Sequence, residues 1–193
     1  MENIISKEKL INDVVDGGTP NGNMVEAAIA GCRDSFLAVI NEHKEYLYKT
    51  AFLYVKNENE ASEIYQNTVF KAYLHINKLK KPEYFKTWIT RILINTVNDT
   101  FRQSKKEMEV YSRQALENYK ENMEIEDRIV LYDAIDALKP NYKTPLILRY
   151  IHDMSIKDIS LVMNCSENTV KSYIHRAKNK LTRILGGKNY ERL

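Results

Sequence analysis

The 193-residue chain has few of the residues that mark several large classes of protein. It contains only 6 Gly and 4 Pro, which excludes a collagen-like or Gly- and Pro-rich low-complexity chain. Cys32 and Cys165 are its only cysteines, and they are too few and too far apart for a disulfide framework or a CxxC metal site. The four histidines are scattered and form no HExxH motif, so we expect no bound metal and no other cofactor.

The chain also has no long apolar run. No stretch approaches the ~20 residues that a membrane-spanning helix needs. The N-terminus, MENIISKEKLINDVVDGG, mixes acidic and basic side chains and does not have the basic start and apolar core of a secretory signal. These features, together with two isolated thiols, predict an intracellular, cytoplasmic protein.

Charge is unevenly distributed along the chain, although the formal net charge is only +3. Residues 71–106 contain nine basic and two acidic residues, and residues 155–193 contain eight basic and three acidic residues. Two separate basic islands indicate two contacts with a polyanion such as nucleic acid. The alternative is that both islands are simply solvated faces.

Apolar residues recur at helical spacing through most of the chain, and strand signals are weak. The pattern predicts helical structure over residues 36–51, 61–72, 85–96, 129–138 and 144–150. Pro145 would stand at the start of the last of these helices, where a proline is tolerated. Residues 104–128 contain many charges and few core residues, which is typical of a linker. The predicted fold class is therefore all-α, with two small helical domains joined by a linker.

The clearest motif is SIKDISLVMNCSENTVKSYIHRAKNKL, at residues 155–181. Ser155 and Ser166 each precede an amphipathic segment, and both are expected to cap a helix. The polar turn between the two segments makes this a predicted helix-turn-helix, whose second helix fits the major groove of DNA. A generic helical hairpin with a basic outer face is the alternative.

The outer face of the second helix carries hydroxyl, amide and basic side chains, which are the types that contact phosphates and base edges. The predicted contacts to duplex DNA are Ser166, Asn168, Thr169, Lys171, Ser172, His175, Arg176 and Lys178. Lys180 is predicted on the same face.

A second stretch, PEYFKTWITRILINTVNDTFRQSKK at residues 82–106, mixes aromatic and cationic side chains. Rings stack on unpaired bases and cations hold the backbone, so this composition suits single-stranded nucleic acid. The alternative is that Phe85 and Trp88 are core residues at helical spacing, and for Trp88 this explanation is preferred. The polar residues that repeat every three to four positions predict one outward helix face: Thr87, Arg91, Asn95, Asn98 and Arg102.

In this order the blocks resemble the extracytoplasmic-function (ECF) sigma factors, the smallest class of the sigma-70 family of bacterial transcription initiation factors. VEAAIAGCRDSFLAVINEHKEYLYKTAF resembles the first helix pair of conserved region 2, and ASEIYQNTVFKAY resembles its polymerase-binding helix. FKTWITRILINTVNDTFR resembles the helix that opens and reads the minus-10 element. LKPNYKTPLILRYIHDMSIKDISLVMNCSENTVKSYIHRAKNKL resembles region 4, which reads the minus-35 element.

The resemblance implies a division of the chain into five parts. These are an N-terminal extension over 1–24, region 2 over 25–103, a linker over 104–128, region 4 over 129–187 and a tail over 188–193. A short helix and a disordered segment are both open for the extension.

The resemblance also implies partners and site residues. The protein would not be an enzyme, and it would work with the RNA polymerase core through the β′ clamp helices and the β flap. Contacts with core would come from Glu60, Glu63, Gln66, Asn67 and Phe70. Contacts with the single-stranded minus-10 element would come from Lys86, Thr87, Arg91, Asn95, Asn98 and Arg102, with the loop 77–84 capturing a flipped base. Family members are often held inactive by an anti-sigma factor, commonly membrane-anchored, and many serve stress or envelope responses.

The chain departs from the family pattern at several positions. Ser62 and Asn67 stand where the polymerase-binding helix usually has Glu, and Glu63 stands where it usually has Asp. Two negative charges are thus replaced by neutral groups. In the recognition helix Lys171 replaces a common Arg, and His175 replaces a larger apolar or aromatic residue. These two changes predict an altered minus-35 preference.

Two other functions are kept as alternatives. A helix-turn-helix repressor or activator that acts without polymerase would need a dimer interface and a palindromic operator. Residues 1–103 supply no obvious heptad seam or ligand pocket for it. A nuclease could hold a metal with Glu60, Glu63 or Asp99, but carboxylates three apart on a helix are usually solvated or bind a partner. Promoter-dependent transcription, operator binding alone and metal-dependent turnover distinguish the three functions.

Overall fold

The structure, a computed structural model, describes residues 22–111 and 134–185, with residues 104–111 as backbone only. Every regular element in these two ranges is helical, which confirms the predicted all-α class. The chain divides into two compact units between Val97 and Asn98. Most of the predicted extension, the later part of the linker and the tail lie outside the described residues.

Residues 22–111 form five α-helices and two short 3-10 turns. They are α1 (Gly22–Ile29), α2 (Arg33–Glu42), α3 (Lys44–Val55), α4 (Glu58–His75) and α5 (Phe85–Tyr111), with 3-10 turns at Ile76–Lys78 and Pro82–Tyr84. Leu47 of α3, Ile64 of α4 and Leu93 of α5 are fully buried. Burying each such side chain contributes about 1.5–3 kcal/mol to the stability of this unit.

The stripe predicted over 61–72 forms the inner side of α4. Its buried members are Ala61, Ile64, Thr68 and Ala72. The helix begins after Asn57, whose side-chain oxygen accepts a hydrogen bond from the backbone N–H of Glu60 at 3.0 Å. The opposite side of α4 is therefore left to solvent or to a partner.

The helical pattern over 36–51 is divided between α2 and α3, and the break falls at His43. The His43 ring is buried, its Nδ1 lies 2.9 Å from the carbonyl oxygen of Val39, and it packs edge to face on Phe85 at 5.2 Å. This contact with a distant residue accompanies the break, and the local spacing of apolar residues does not reveal it. Leu37, which shares the apolar pattern, is 50% exposed.

Two helices extend beyond the expected limits of region 2. Helix α1 begins at Gly22, three residues before residue 25, and it buries Met24 and Val25. Helix α5 continues to Tyr111, eight residues into the stretch assigned to the linker. Residues 104–111, SKKEMEVY, contain no Gly or Pro, and their Lys, Glu and Met residues are good helix formers, so nothing in the sequence stops the helix at 103.

The described residues after 133 form three α-helices, and residues 134–136 before them are also helical. They are α6 (Pro140–Tyr150), α7 (Ile156–Met163) and α8 (Glu167–Ile184). Of the helix predicted over 129–138, Ala134, Ile135 and Leu138 are buried, and the earlier residues lie outside the described ranges. Lys143 Nζ donates to Asp136 Oδ1 at 2.7 Å, which ties the segment before α6 to that helix.

The predicted start of the next helix, at Thr144, is wrong. Helix α6 begins at Pro140, with Lys139 in the extended N-cap position, so Pro145 lies inside the helix. Proline often marks the start of a helix, and both prolines carry that signal. Only Pro140 lies in the first turn, where a backbone N–H would have no hydrogen-bond partner within the helix. The rest of α6 carries Leu146, Ile147 and Leu148 into the core.

Candidate nucleic-acid and polymerase interfaces

Helices α7 and α8 form the predicted helix-turn-helix. Ser155 Oγ accepts a hydrogen bond from the backbone N–H of Asp158 at 3.0 Å, and Ser166 Oγ accepts one from Thr169 at 3.1 Å. Both predicted N-caps are therefore confirmed. Asn164 ends α7 in the left-handed conformation at φ 51°, which asparagine tolerates better than most residues. Burial raises the pKa of the Cys165 thiol in this turn, as expected of a packing residue.

The inner side of α8 is apolar and its outer side is polar. Val170, Ile174, Ala177 and Leu181 are buried. Tyr173 is half-buried and Ile174 is buried, so Ile174 faces the core. The exposed side opposite this stripe carries Asn168, Ser172, His175, Arg176 and Asn179.

Asn179 is a residue of this outer side that the sequence analysis missed. It lies one turn after His175, and its Nδ2 is 3.2 Å from His175 Nε2. The signal was available, because position 179 is seven residues after Ser172 and four after His175. The two side chains form a pair at the centre of the exposed side.

The other predicted residues of this helix lie nearer its ends or edges. Ser166 is the cap itself, and Thr169 is half-buried with its Oγ1 2.8 Å from Ser166 Oγ. Lys171 is exposed and Lys178 is half-buried, both on the edge next to the apolar stripe. The Lys178 Nζ lies 4.7 Å from the centre of the Tyr150 ring of α6.

Helix α5 places five of its predicted polar residues on one outward side. Thr87, Arg91, Asn95, Asn98 and Arg102 follow the period of ~100° per residue and lie opposite the buried Ile89, Leu93 and Val97. Arg102 Nη2 lies 2.9 Å from Asp99 Oδ1 in an exposed ion pair, which orients the guanidinium along this side. Trp88 stands at the edge, half-buried against Phe85 at 5.8 Å between ring centres.

Lys86 is not on that side of α5. Its Nζ lies 5.2 Å from the centre of the Tyr46 ring of α3, on the part of the helix that faces α3. Thr90 Oγ1 donates to the Lys86 carbonyl at 2.7 Å, so the Tyr46 hydroxyl, 2.7 Å from Thr90 Oγ1, is the donor between these two groups. Burial raises the pKa of Tyr46 to about 12. Lys86 therefore belongs to a different surface from Arg91.

The segment before α5 contains two 3-10 turns and is anchored by two apolar side chains. Ile76 and Leu79 are buried, while Asn77, Lys78 and Lys80 are exposed. Lys81 Nζ lies 5.9 Å from the centre of the Tyr84 ring. The loop thus offers cations and a ring close to the start of α5.

The five residues predicted for core polymerase all lie exposed on the outer side of α4. They are Glu60, Glu63, Gln66, Asn67 and Phe70. Phe70 is 63% exposed, and Tyr73 and Leu74, which the sequence analysis missed, are 50% and 52% exposed one turn later. The spacing of three and four residues from Phe70 was the available signal. Tyr73 also packs edge to face on Phe36 of α2 at 5.3 Å, which holds one end of this apolar patch.

Two negative findings concern the described residues. Within 22–111 and 134–185, no group of three or more His, Cys, Asp or Glu side chains could hold a metal ion. No helix in the same two ranges is long and apolar enough to span a membrane.

Comparison with known proteins identifies both halves of the chain. The family model for sigma-70 region 2 matches residues 39–107, and the model for sigma-70 region 4 matches residues 128–181. The chain is 34% identical over 152 residues to the RNA polymerase sigma factor SigV of Bacillus subtilis (strain 168), covering 75% of this chain and 87% of SigV. It is 27% identical over 172 residues to the ECF RNA polymerase sigma factor SigW of the same strain, covering 80% and 91% of the two chains.

Two solved structures share the fold at low sequence identity. The complex of CnrH with the cytosolic domain of CnrY contains a chain with a TM-score of 0.66 at 20% identity, covering 88% of this chain and 99% of that one. The sigma factor RpoE of Bartonella quintana, in complex with the anti-sigma factor NepR, gives a TM-score of 0.63 at 20% identity, covering 75% and 92%. The matches to both conserved regions and to SigV show that the chain belongs to the ECF sigma factors of the sigma-70 family.

Proposed function

We propose that this sigma factor uses three separate helix faces to bring RNA polymerase core to promoters and to open them. The observation that carries the proposal is that α4, α5 and α8 each leave one side exposed, and that the three sides differ in chemistry. The side of α4 is apolar with an acidic rim, that of α5 is amide and arginine, and that of α8 is amide, hydroxyl and basic. Each suits a different partner.

The outer side of α8 is proposed to read the minus-35 element in the major groove. Asn168 and Ser172 lie toward the N-terminal half of the helix, where a recognition helix contacts base edges. Arg176 and the edge lysines suit the phosphates, because their positive charge attracts the backbone. Such contacts position the helix and carry no sequence information. A side chain that pairs well with its base discriminates by about 1–3 kcal/mol against the wrong one.

The outward side of α5 is proposed to hold the melted minus-10 strand. Arg91 and Arg102 attract the backbone, and Asn95 and Asn98 between them offer donors and acceptors to an unpaired base. Flipping a base costs a few kcal/mol. Stacking on a ring returns about 1–3 kcal/mol per base, so capture at the loop 77–84 offsets the cost only where the base fits. Recognition and melting would then be one event.

The outer side of α4 is proposed to bind the β′ clamp helices of core polymerase. An exposed aromatic residue within an apolar patch is the kind of side chain that dominates an interface, and Phe70 is such a residue. Ser62 and Asn67 are neutral where the family pattern usually has Glu. Apolar contact would therefore contribute a larger share of the affinity for core polymerase in this chain. We also propose that region 4 binds the β flap of core polymerase. Region 2 would then cover residues 25–103, the linker 104–128 and region 4 129–187.

An anti-sigma factor is proposed as a further partner. The RpoE structure contains the anti-sigma factor NepR, and that chain shares the fold of this one. To inhibit the protein fully, the anti-sigma factor would cover the exposed apolar patch of α4 and the basic faces of α5 and α8. We propose that this anti-sigma factor is anchored in the membrane and that the sigma factor itself is cytoplasmic. Release of the sigma factor would then serve a stress or envelope response.

The test is transcription in vitro with purified bacterial core polymerase, this protein and a pool of genomic fragments, followed by mapping of start sites. The proposal predicts discrete new starts that share an upstream and a downstream element. Sequence-specific binding by the protein alone, with no new starts, would favour a repressor instead. Metal-dependent cleavage of the fragments would favour a nuclease.

A further inference from the structure

Two tyrosines of α6 hold the ammonium groups of two lysines of α8. Lys178 Nζ lies 4.7 Å from the centre of the Tyr150 ring, and Lys180 Nζ lies 5.3 Å from the centre of the Tyr142 ring. Both distances are within the ~6 Å at which a cation is attracted to the face of a ring. Tyr142 is itself held by an edge-to-face contact with Tyr173 at 5.7 Å.

The two lysines lie on opposite edges of the outer side of α8. Two residues along a helix are separated by ~200° of rotation, so Lys178 and Lys180 flank the buried stripe from the two sides. The burial pattern agrees, because Ala177 just before Lys178 and Leu181 just after Lys180 are both buried. A helix seated in the major groove has one phosphate backbone along each of its edges.

We propose that Tyr150 and Tyr142 are positioning residues, which hold Lys178 and Lys180 toward the phosphates on the two sides of the groove. This rests on the proposed contact of α8 with duplex DNA. A contact with the face of a ring attracts the charge of an ammonium group and uses none of its three N–H donors, so the ring does not compete with a phosphate oxygen for them. Neither tyrosine contacts the DNA in this arrangement, and each acts through its lysine.

The physical gain comes from order that exists before binding. A lysine side chain has several rotatable bonds and loses much of their freedom when its ammonium group is fixed on a phosphate. A ring that already restricts the ammonium group reduces that loss at the moment of binding. The opposite arrangement, in which the ring withholds the lysine from DNA, would make removal of the ring strengthen binding.

The experiment measures the affinity of the full-length chain for a short labelled duplex of mixed sequence, because phosphate contacts do not depend on sequence. Tyr150→Leu removes the ring and keeps an apolar side chain, and Tyr150→Phe keeps the ring. We expect Tyr150→Leu to weaken binding about two- to fivefold, from the strength of an exposed cation–π contact, and Tyr150→Phe to bind like the wild type. Tyr142→Leu and Tyr142→Phe form the matched pair for Lys180.

A double-mutant cycle and a salt titration separate positioning from folding. Lys178→Ala should lower the slope of log affinity against log salt by about one, as loss of one phosphate contact does. Tyr150→Leu should then have no further effect in the Lys178→Ala background. Thermal unfolding of each variant, followed by circular dichroism, identifies any loss of binding that comes from loss of structure. If a Leu variant is unfolded, the matching Phe variant and the double-mutant cycle test the inference in its place.

Several results would overturn the inference. Equal affinity of Tyr150→Leu and wild type, tighter binding by Tyr150→Leu, or an undiminished effect in the Lys178→Ala background would each do so. If the wild-type chain binds no duplex, or if Lys178→Ala and Arg176→Ala both leave its affinity unchanged, the proposed contact of α8 with DNA fails, and the inference fails with it. If Arg176→Ala weakens binding and Tyr150→Leu does not, the inference alone fails.

Discussion

Tyr46 of α3 contacts the start of helix α5 at both Thr90 and Lys86. The Thr90 hydroxyl donates within α5 to the Lys86 carbonyl, which leaves its oxygen free to accept from the Tyr46 hydroxyl of α3. The Lys86 ammonium group then lies over the Tyr46 ring. The Tyr46 phenol is mostly buried and donates one hydrogen bond to Thr90. It thus joins α3 to α5, the helix with the outward polar side.

The Tyr46 phenol should make the protein sensitive to alkaline pH. Burial raises its pKa from 10 to about 12 in the folded chain, because the ionised form is poorly solvated there. Stability from the neutral phenol is therefore present below pH 10 and is lost as pH rises toward about 12. The free energy of unfolding, measured with urea across this window, should fall by up to about 2 kcal/mol more in wild type than in Tyr46→Phe.

At neutral pH the same variant provides an internal reference. Tyr46→Phe removes the hydrogen bond to Thr90 and should lower the free energy of unfolding by about 0.5–1.5 kcal/mol. Parallel pH curves for wild type and variant would show that the phenol does not carry the alkaline loss.

At the scale of the single helix, the recurring feature is a division into a buried and an exposed side. In α4, α5 and α8 the buried side is a stripe of apolar or small residues every three to four positions. The exposed side then collects polar or large apolar residues that the fold does not need. Substitutions there should change partner binding and leave folding nearly intact, because exposed side chains contribute little to stability.

The two sides of α5 give a matched pair of substitutions. Arg91→Ala changes the outward side, and Lys86→Ala removes a lysine that lies over Tyr46 instead. We expect Arg91→Ala to reduce open-complex formation about tenfold or more, since it would remove the proposed contact with a phosphate or base, and Lys86→Ala to have a much smaller effect. Permanganate footprinting of the melted strand in the polymerase complex measures both. An equal loss for the two variants would mean that the outward side has no special role.

The exposed aromatic residue of α4 supports a similar comparison. Phe70→Ala should weaken binding to core polymerase about tenfold, because a well-exposed aromatic side chain in an apolar patch is a typical interface hot spot. His75→Ala changes an exposed residue of the same helix that lies about 140° around the helix axis from Phe70, and this variant should bind core like the wild type. Fluorescence anisotropy with labelled protein measures the two affinities. Normal binding by Phe70→Ala would exclude this patch as the main contact.

These elements also show which features follow from sequence. The caps at Ser155 and Ser166 and the polar side of α5 were predictable because they depend only on residues within one or two turns. The break at His43 was not, since the ring is held by Phe85, more than forty residues away. The placement of Lys86 over Tyr46 has the same cause. Pro140 and Pro145 carry the same local signal, and only packing distinguishes the one that starts α6.

At the scale of the whole molecule, the candidate contacts are distributed over two compact units. The faces of α4 and of the first turns of α5 belong to the unit that ends at Val97, and the face of α8 belongs to the unit that begins at Asn98. Each unit has its own buried core, so a substitution on one face should not disturb the other. The account therefore predicts that the two promoter elements are read independently.

The most direct test maps transcription starts genome-wide in vitro with core polymerase and two variants, Asn168→Ala on α8 and Asn95→Ala on α5. The account predicts that Asn168→Ala relaxes the preferred sequence of the upstream element only, and that Asn95→Ala relaxes that of the downstream element only. Each position should lose about 1–3 kcal/mol of discrimination. Variants that alter both elements together, or neither, would contradict the assignment of the two faces.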